Sequence, residues 1–321
     1  MLESILKDKQ GFKLVCGAGN EDENEVEKLV MIYSLAGCRF FDVCAKPEIV
    51  DAAKRGLKRA NKENQCYICV SVGIAGDPHI TKAEIDNDRC VKCGMCRNIC
   101  PHNAITNEIK IIKERCLGCN QCKNTCPKSA INMKSEIKDY KEILPGLISK
   151  GIDCIEFHAI STDEKDVAEK WNEINELYNG LLCISLDRSE LGDKNLIDRV
   201  KRLIEKRKPY TTIIQADGVA MSGNNDELGT TLQAVATAQL FQNAKLPVYI
   251  MMSGGTNTKS TELAKACGVN IDCLAVGSFA RKIVKDYLIM DDLLENSKEL
   301  NEAVEIAKRL IDISLENMKH D

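Results

Sequence analysis

No apolar run in this 321-residue sequence is long enough to cross a bilayer. Nor is there a basic block: 44 Lys and Arg are mixed with 48 Asp and Glu, for a net charge of −4. That balance gives no footprint for nucleic acid. The opening MLESILKDKQ lacks the charged-then-apolar layout of a secretory signal. A cytoplasmic, reducing compartment is therefore expected, where structural disulfides are rare. Histidine is scarce, with four in the chain.

Cysteine is the opposite case. The chain has 17, and eight of them fall in one stretch. Cys90, Cys93, Cys96 and Cys100 precede Pro101, and Cys116, Cys119, Cys122 and Cys126 precede Pro127. Each set reads C-x2-C-x2-C-x3-C-P, the run of bacterial ferredoxins with two cubane clusters. The second set repeats the first at an offset of 26 residues, with Arg89/Arg115, Ala104/Ala130 and Ile105/Ile131 also matching. This is an internal duplication. Three closely spaced thiolates wrap one side of a cube, and the fourth comes from the other copy. The spacing thus predicts two [4Fe–4S] clusters, one on Cys90, Cys93, Cys96 and Cys126, the other on Cys116, Cys119, Cys122 and Cys100. A zinc site has no use for the third and fourth cysteines at these offsets, and a disulfide framework suits the expected compartment poorly.

The rest of the chain alternates short apolar runs with helical patterns. Strands are expected at Lys13–Ala18, Phe40–Ala45, Cys66–Val72, Cys154–Ile160, Leu181–Leu186, Thr211–Ala216, Val248–Met252 and Cys273–Val276. Helical periodicity lies between them, for example over Glu25–Leu35 and Asp163–Leu177. Eight such units at this length predict a (β/α)8 TIM-like barrel, with an open doubly wound sheet as the alternative. The expected divisions are 1–75 and 136–295 for the barrel, 76–135 for a ferredoxin-like insert after strand three, and 296–321 for a C-terminal helix. An insert there sits in a βα loop, on the face where barrel chemistry occurs.

Polar residues at strand ends are candidates for that face: Asn20, Asp42, Glu156, His158, Asp187, Arg188, Gln215, Asp217, Ser253 and Arg281. A satisfied core hydrogen bond is the plainer role for each. Two glycine loops stand out. Gly254, Gly255 and Thr256 follow strand seven, and Gly277 and Ser278 follow strand eight, the usual place of a barrel phosphate site. A small phosphorylated ligand is expected there, and flavin mononucleotide (FMN) suits a neighbour of iron–sulfur clusters. The small-residue loop Asp217–Gly223 is a candidate lid. The nine remaining cysteines read as packing residues, with Cys16 and Cys44 nearest the strand ends.

The duplicated insert after strand three, GTT at Gly229–Thr231, SGGTN at Ser253–Asn257 and VGSFAR at Val276–Arg281 together resemble the light-dependent period protein (LdpA) family of cyanobacteria and its bacterial relatives. The resemblance implies iron–sulfur proteins connected to redox sensing and circadian input, without an assigned enzymatic activity. It supports the eight cluster cysteines and supplies no catalytic residue. Three roles follow from the residues. One is an electron-transfer or redox-sensing protein with an electron donor or acceptor protein as partner. Another is an FMN-dependent oxidoreductase fed by the clusters. The third is a scaffold subunit of a redox complex.

Overall fold

The computed structural model describes residues 1–75, 77, 80–135, 137–188, 191–218 and 227–318. A short helix α1 (Leu2–Lys7) leads into β1 (Gly11–Val15), α2 (Glu23–Leu35), β2 (Phe40–Cys44), α3 (Pro47–Arg59) and β3 (Tyr67–Gly73). The insert follows, bounded by β4 (Thr81–Ile85) and β5 (Ile131–Ser135), with α4 (Met95–Ile99) and α5 (Gln121–Thr125) between them. The alternation then resumes as α6 (Tyr140–Ser149), β6 (Cys154–His158), α7 (Glu164–Leu177), β7 (Leu181–Leu186), α8 (Asp193–Ile204) and β8 (Thr212–Asp217). It ends with α9 (Glu227–Ala244), β9 (Tyr249–Ser253), α10 (Ser260–Ala266), β10 (Cys273–Val276), α11 (Ser278–Ile283), α12 (Lys285–Leu288) and α13 (Ser297–Met318).

Eight strands close into a parallel barrel in the order β1-β10-β9-β8-β7-β6-β3-β2. Strand β3 pairs directly with β6, Ser71 opposite Glu156 and Gly73 opposite His158. The insert therefore leaves the barrel sheet unbroken and projects from the loop at the C-terminal ends of the strands. It is closed at its base by the antiparallel pair β4–β5, Thr81 opposite Ser135 and Ile85 opposite Ile131. That pair, and the plug helix α1, carry too little periodicity to stand out in the sequence.

The packing follows the strand pattern. Outward-facing side chains, such as Leu14, Phe41, Val70, Ile155 and Ile184, form the main core with the surrounding helices. Inward-facing ones form a second layer at the bottom of the barrel. There Cys69, Cys154, Cys183 and Cys273 pack with Phe40, Ile213, Tyr249 and Met251, and Leu2 and Leu6 of α1 stop the end. Cysteine serves here as a small apolar filler. Asp22, Asp139 and Asp163 cap α2, α6 and α7 with side-chain oxygens on free N–H groups. Leu300, Ala303, Ala307, Leu310 and Ile311 of α13 are buried, and the helix packs beside α2 and α10.

Helices α2 and α3 cross at Gly56. A Cβ there would sit 2.5 Å from the Glu27 carbonyl oxygen and 3.1 Å from Val30 Cβ. Alanine is the better helix former, but the close backbone approach dominates. Gly56→Ala is expected to lower unfolding free energy by about 1–3 kcal/mol in urea titrations. An unchanged or raised midpoint would contradict the tight crossing.

Candidate functional site

The duplication visible in the sequence is also a duplication of backbone. Left-handed residues recur at the same offset: Lys92 and Gly118, Gly94 and Asn120, Asn103 and Ser129. Each copy then runs into a five-residue helix, α4 or α5, that carries its third cysteine. Left-handed residues fold the chain back on itself, so the first three sulfurs of each copy face a common space. Cys90, Cys93, Cys96 and Cys126 line one cavity. Cys100, Cys116, Cys119 and Cys122 line a second. Backbone N–H groups point at three of these sulfurs: Ala104 at Cys100 (3.3 Å), Ala130 at Cys126 (3.2 Å) and Ala83 at Cys116 (3.4 Å). The Ala104 and Ala130 contacts are again one duplicated pair. Soft thiolate ligands in sets of four, with amide donors on the sulfurs, suit an iron–sulfur cube. Apolar residues, among them Ala83, Ile105, Ile109 and Ile131, pack around Cys96, Cys116 and Cys122, which are buried, while Cys93 stays exposed.

The barrel mouth is a separate cavity of about 490 Å³. Eight of the ten strand-end residues singled out above line it: Asp42, Glu156, His158, Asp187, Gln215, Asp217, Ser253 and Arg281. The other two do not. Asn20 donates to Cys16 O (3.1 Å) and to Glu25 (2.9 Å), shaping the loop before α2. Arg188 pairs with Asp193. Gly254, Gly255, Thr256, Gly277 and Ser278 all border the cavity. Gly254 and Gly255 have positive φ, 67° and 81°. Residues 219–223 of the Asp217–Gly223 loop lie outside the described residues. Cys16 and Cys44 are both buried, and burial pushes their thiols up, Cys44 to about 11. Neither carries a reactive thiolate.

Below the mouth lies a buried network that joins four of these residues, Asp42, Glu156, His158 and Gln215, to Lys13, Ser71 and Asp77, which the sequence reading did not single out. Lys13 of β1 pairs with Glu156 and lies 3.8 Å from Asp42. It also donates to Gln215 (3.2 Å). Gln215 donates to Glu156 (2.9 Å), and Ser71 donates to Asp42 (2.7 Å). His158 bridges Asp77 (2.8 Å) and Glu156 (3.1 Å) through its two ring nitrogens. Asp77 reaches His158 across Gly73, where any side chain would overlap its carboxylate. Burial alone would lower the pKa of Lys13, but Asp42 and Glu156 hold it well above its ordinary value. Burial likewise works against His158, but Asp77 and Glu156 raise it and keep the imidazolium. Burial would raise the Glu156 carboxyl, but Lys13 and His158 bring it below the usual range. Asp42 is the exception. Burial outweighs Lys13 and lifts it to about 6. Its Oδ2 has no hydrogen-bond partner among the described residues, and the residue borders the cavity.

The insert and the mouth share a wall. Leu117, Gly118, Cys119 and Asn120, the loop of the second cysteine set, line the mouth cavity beside Gly17 and Gly19. Buried Lys82 fixes the joint, donating to Gly19 O (2.6 Å) and Cys116 O (2.8 Å). Glu21 N donates to Glu114 O (2.8 Å), and Arg115 pairs with Asp22 at 3.0 Å. Beside the same Gly17 loop, Arg281 donates to Cys16 O (2.6 Å). His102, next to the Cys100-Pro101 turn, is half-buried and held neutral, its pKa lowered to about 3 by burial and by Arg281.

Comparison with known proteins agrees with this layout. Residues 147–313 match the family model described as the Light dependent period A C-terminal domain. Residues 83–133 match a 4Fe-4S dicluster domain. Light dependent period A of Synechococcus elongatus is 28% identical, covering 94% of this chain and 88% of that protein. Among solved structures, a monomeric dihydrodipicolinate synthase variant aligns at 12% identity and TM-score 0.46, covering 94% of this chain and 79% of that one. A truncated 3-deoxy-D-arabino-heptulosonate 7-phosphate synthase from Thermotoga maritima aligns at 11% identity and TM-score 0.47, covering 95% and 87%. No helix among the described residues is long and apolar enough to cross a membrane.

The Asp42 proton gives a test of the network. The folded protein binds this proton more tightly than the unfolded chain, whose value is near 3.8. Asp42 therefore contributes stability that is full below pH 3.8 and is lost as pH rises through about 6. The shift is worth roughly 3 kcal/mol. Wild type should lose stability relative to Asp42→Asn across that window, by denaturant titration at successive pH values. A difference that stays constant with pH would place the Asp42 proton elsewhere.

Proposed function

The chain belongs to the Light dependent period A family, and on that premise we propose an iron–sulfur redox-sensing or electron-transfer protein whose second cluster serves a ligand bound in the barrel mouth. The family and the dicluster domain give the iron–sulfur redox or sensing role itself. One observation carries the finer reading: the loop Leu117–Asn120, which bears Cys119, is also a wall of the mouth cavity. When bound, each cube supplies one-electron transfer. The protein's part is to hold and tune. Cys90, Cys93, Cys96 and Cys126 would hold one cube, and Cys116, Cys119, Cys122 and Cys100 the other. The N–H groups of Ala83, Ala104 and Ala130 donate to the sulfurs they face, the kind of hydrogen bond that tunes a cluster's potential. Lys82 holds the Cys116 backbone against Gly19, so the second set and the mouth keep a fixed relation.

A specific observation favours a phosphorylated ligand in that mouth. Gly254, Gly255, Thr256, Gly277 and Ser278 border the cavity together with the buried Arg281. Glycine loops after the last two strands expose backbone N–H groups to an anion. Arg281 adds a charge that pairs well with phosphate, and its Nε has no hydrogen-bond partner among the described residues. FMN fits this reading as a cofactor that exchanges single electrons.

Two measurements test the assignments. Anaerobic wild-type protein should hold about eight irons in two cubes. Cys100→Ala is expected to disturb the cube on Cys116, Cys119 and Cys122 and leave the signal of the other intact by paramagnetic resonance. Loss confined to the cube on Cys90 would reverse the assignment. For the mouth, FMN added to the anaerobic holoprotein should bind wild type and not Gly255→Asp, at equal iron content. Equal binding to both rejects the phosphate position.

A further inference from the structure

The module's two copies present equivalent faces to different surroundings, and the difference identifies a docking surface. In the second copy, Arg115 pairs with Asp22 of the barrel and Leu117 lines the mouth. The counterparts one repeat earlier are Arg89 and Val91. Arg89 is 65% exposed, and its ion pair among the described residues is with Asp86 of its own loop, 3.6 Å away. Val91 is 59% exposed. The divergence continues along the repeat. Gln121 and Thr125 in the second copy correspond to Met95 and Ile99 in the first, which are 45% and 43% exposed.

Three large apolar side chains on the surface within nine residues form a patch of the kind that marks a contact site. Two of them, Val91 and Met95, border the first cysteine set. Val91, Lys92, Met95 and Lys128 line the same cavity as Cys90, Cys93, Cys96 and Cys126, and Cys93 itself is exposed. The charges around the patch are mainly basic. Arg89, Lys92, Arg97 and Lys128 are exposed, against Asp88 and the half-buried Asp86. Residues 76–135 hold ten Lys and Arg against six Asp and Glu, inside a chain of net charge −4. The second copy shows what its own version of this face accepts: the acidic Asp22 on Arg115, beside the small residues Gly17 and Gly19.

We propose that the exposed face of the first copy docks a small acidic electron-carrier protein. The proposal rests on the cluster assignment of the preceding section. The carrier loses one electron, the first cluster gains it, and no bond forms or breaks. Complementary charge steers such encounters, and the apolar centre supplies contact once they form.

The test uses the anaerobic holoprotein with flavodoxin, an acidic carrier, as probe. Binding is followed by calorimetry with oxidised flavodoxin, and reduction of the clusters by stopped flow with the reduced form. Wild-type rates should fall as salt rises. Lys92→Glu/Lys128→Glu should weaken binding and slow reduction at low salt by roughly tenfold, with iron content unchanged. Met95→Glu should weaken binding without reversing the salt dependence. Lys298→Glu, a control on α13 where Lys298 is 78% exposed, should match wild type. A protein purified without iron overturns the cluster assignment. A fully loaded protein overturns the docking face alone if it ignores flavodoxin, if the charge reversals change nothing, or if basic cytochrome c docks better than flavodoxin.

Discussion

Cysteines from two halves of a duplicated segment have to reach one cavity, and that requirement organises the insert. Cys126 joins Cys90, Cys93 and Cys96, while Cys100 joins Cys116, Cys119 and Cys122. Neither set is complete within its own copy, so the copies must interlock. Two five-residue helices and a pair of five-residue strands do not bury enough apolar surface to hold such an arrangement alone. The thiol sets are the means of holding it, and binding free energy becomes folding free energy. The hairpin β4–β5 then ties the ends of the module to the barrel, between two strands that pair as if nothing had been inserted.

What was legible in the sequence follows from how local each signal is. The cysteine spacing is local, and so is the strand–helix alternation of the barrel. The glycine loops were placed at the mouth because loops after the last barrel strands can go nowhere else. The buried network escaped for the opposite reason. Lys13 sits in an apolar strand, and its meaning comes from Glu156 and Gln215, 143 and 202 residues away. Asp77 is a single acid at the edge of the insert, and only the fold brings it to His158. Asn20 and Arg188 carry the same strand-end signal as the mouth residues, yet each turns to a neighbour in sequence, Glu25 or Asp193. Sequence position gave no way to separate the two outcomes.

The network sets limits on the barrel's chemistry. Lys13 is fully buried and held protonated by Asp42 and Glu156. A lysine in that state is not available as a nucleophile. His158, between Asp77 and Glu156, is committed to two hydrogen bonds and to its positive charge. Among the described residues, the unsatisfied side-chain atoms that border the mouth belong instead to Asp42, whose carboxyl burial lifts to about 6, and to Arg281. A ligand lying between them would meet a proton acceptor at one end and a cation at the other. Buried groups without partners are costly, so these two positions are where a ligand gains most by supplying what the protein lacks.

The shared wall gives mouth and clusters a physical route by which one can affect the other. A ligand that touches Leu117–Asn120 contacts the loop that bears Cys119, and Lys82 connects Cys116 to the Gly19 side of the same cavity. If occupancy of the mouth differs in free energy between the oxidised and reduced states, then redox state must change ligand affinity by the same factor. Electron transfer and sensing are then two readouts of one coupling. On the reading proposed above, a carrier at the outer face would set the redox state and a ligand in the mouth would register it as a change in affinity. The asymmetry of the two copies is what gives this relay a direction: one cysteine set turned toward solvent, the other built into the barrel.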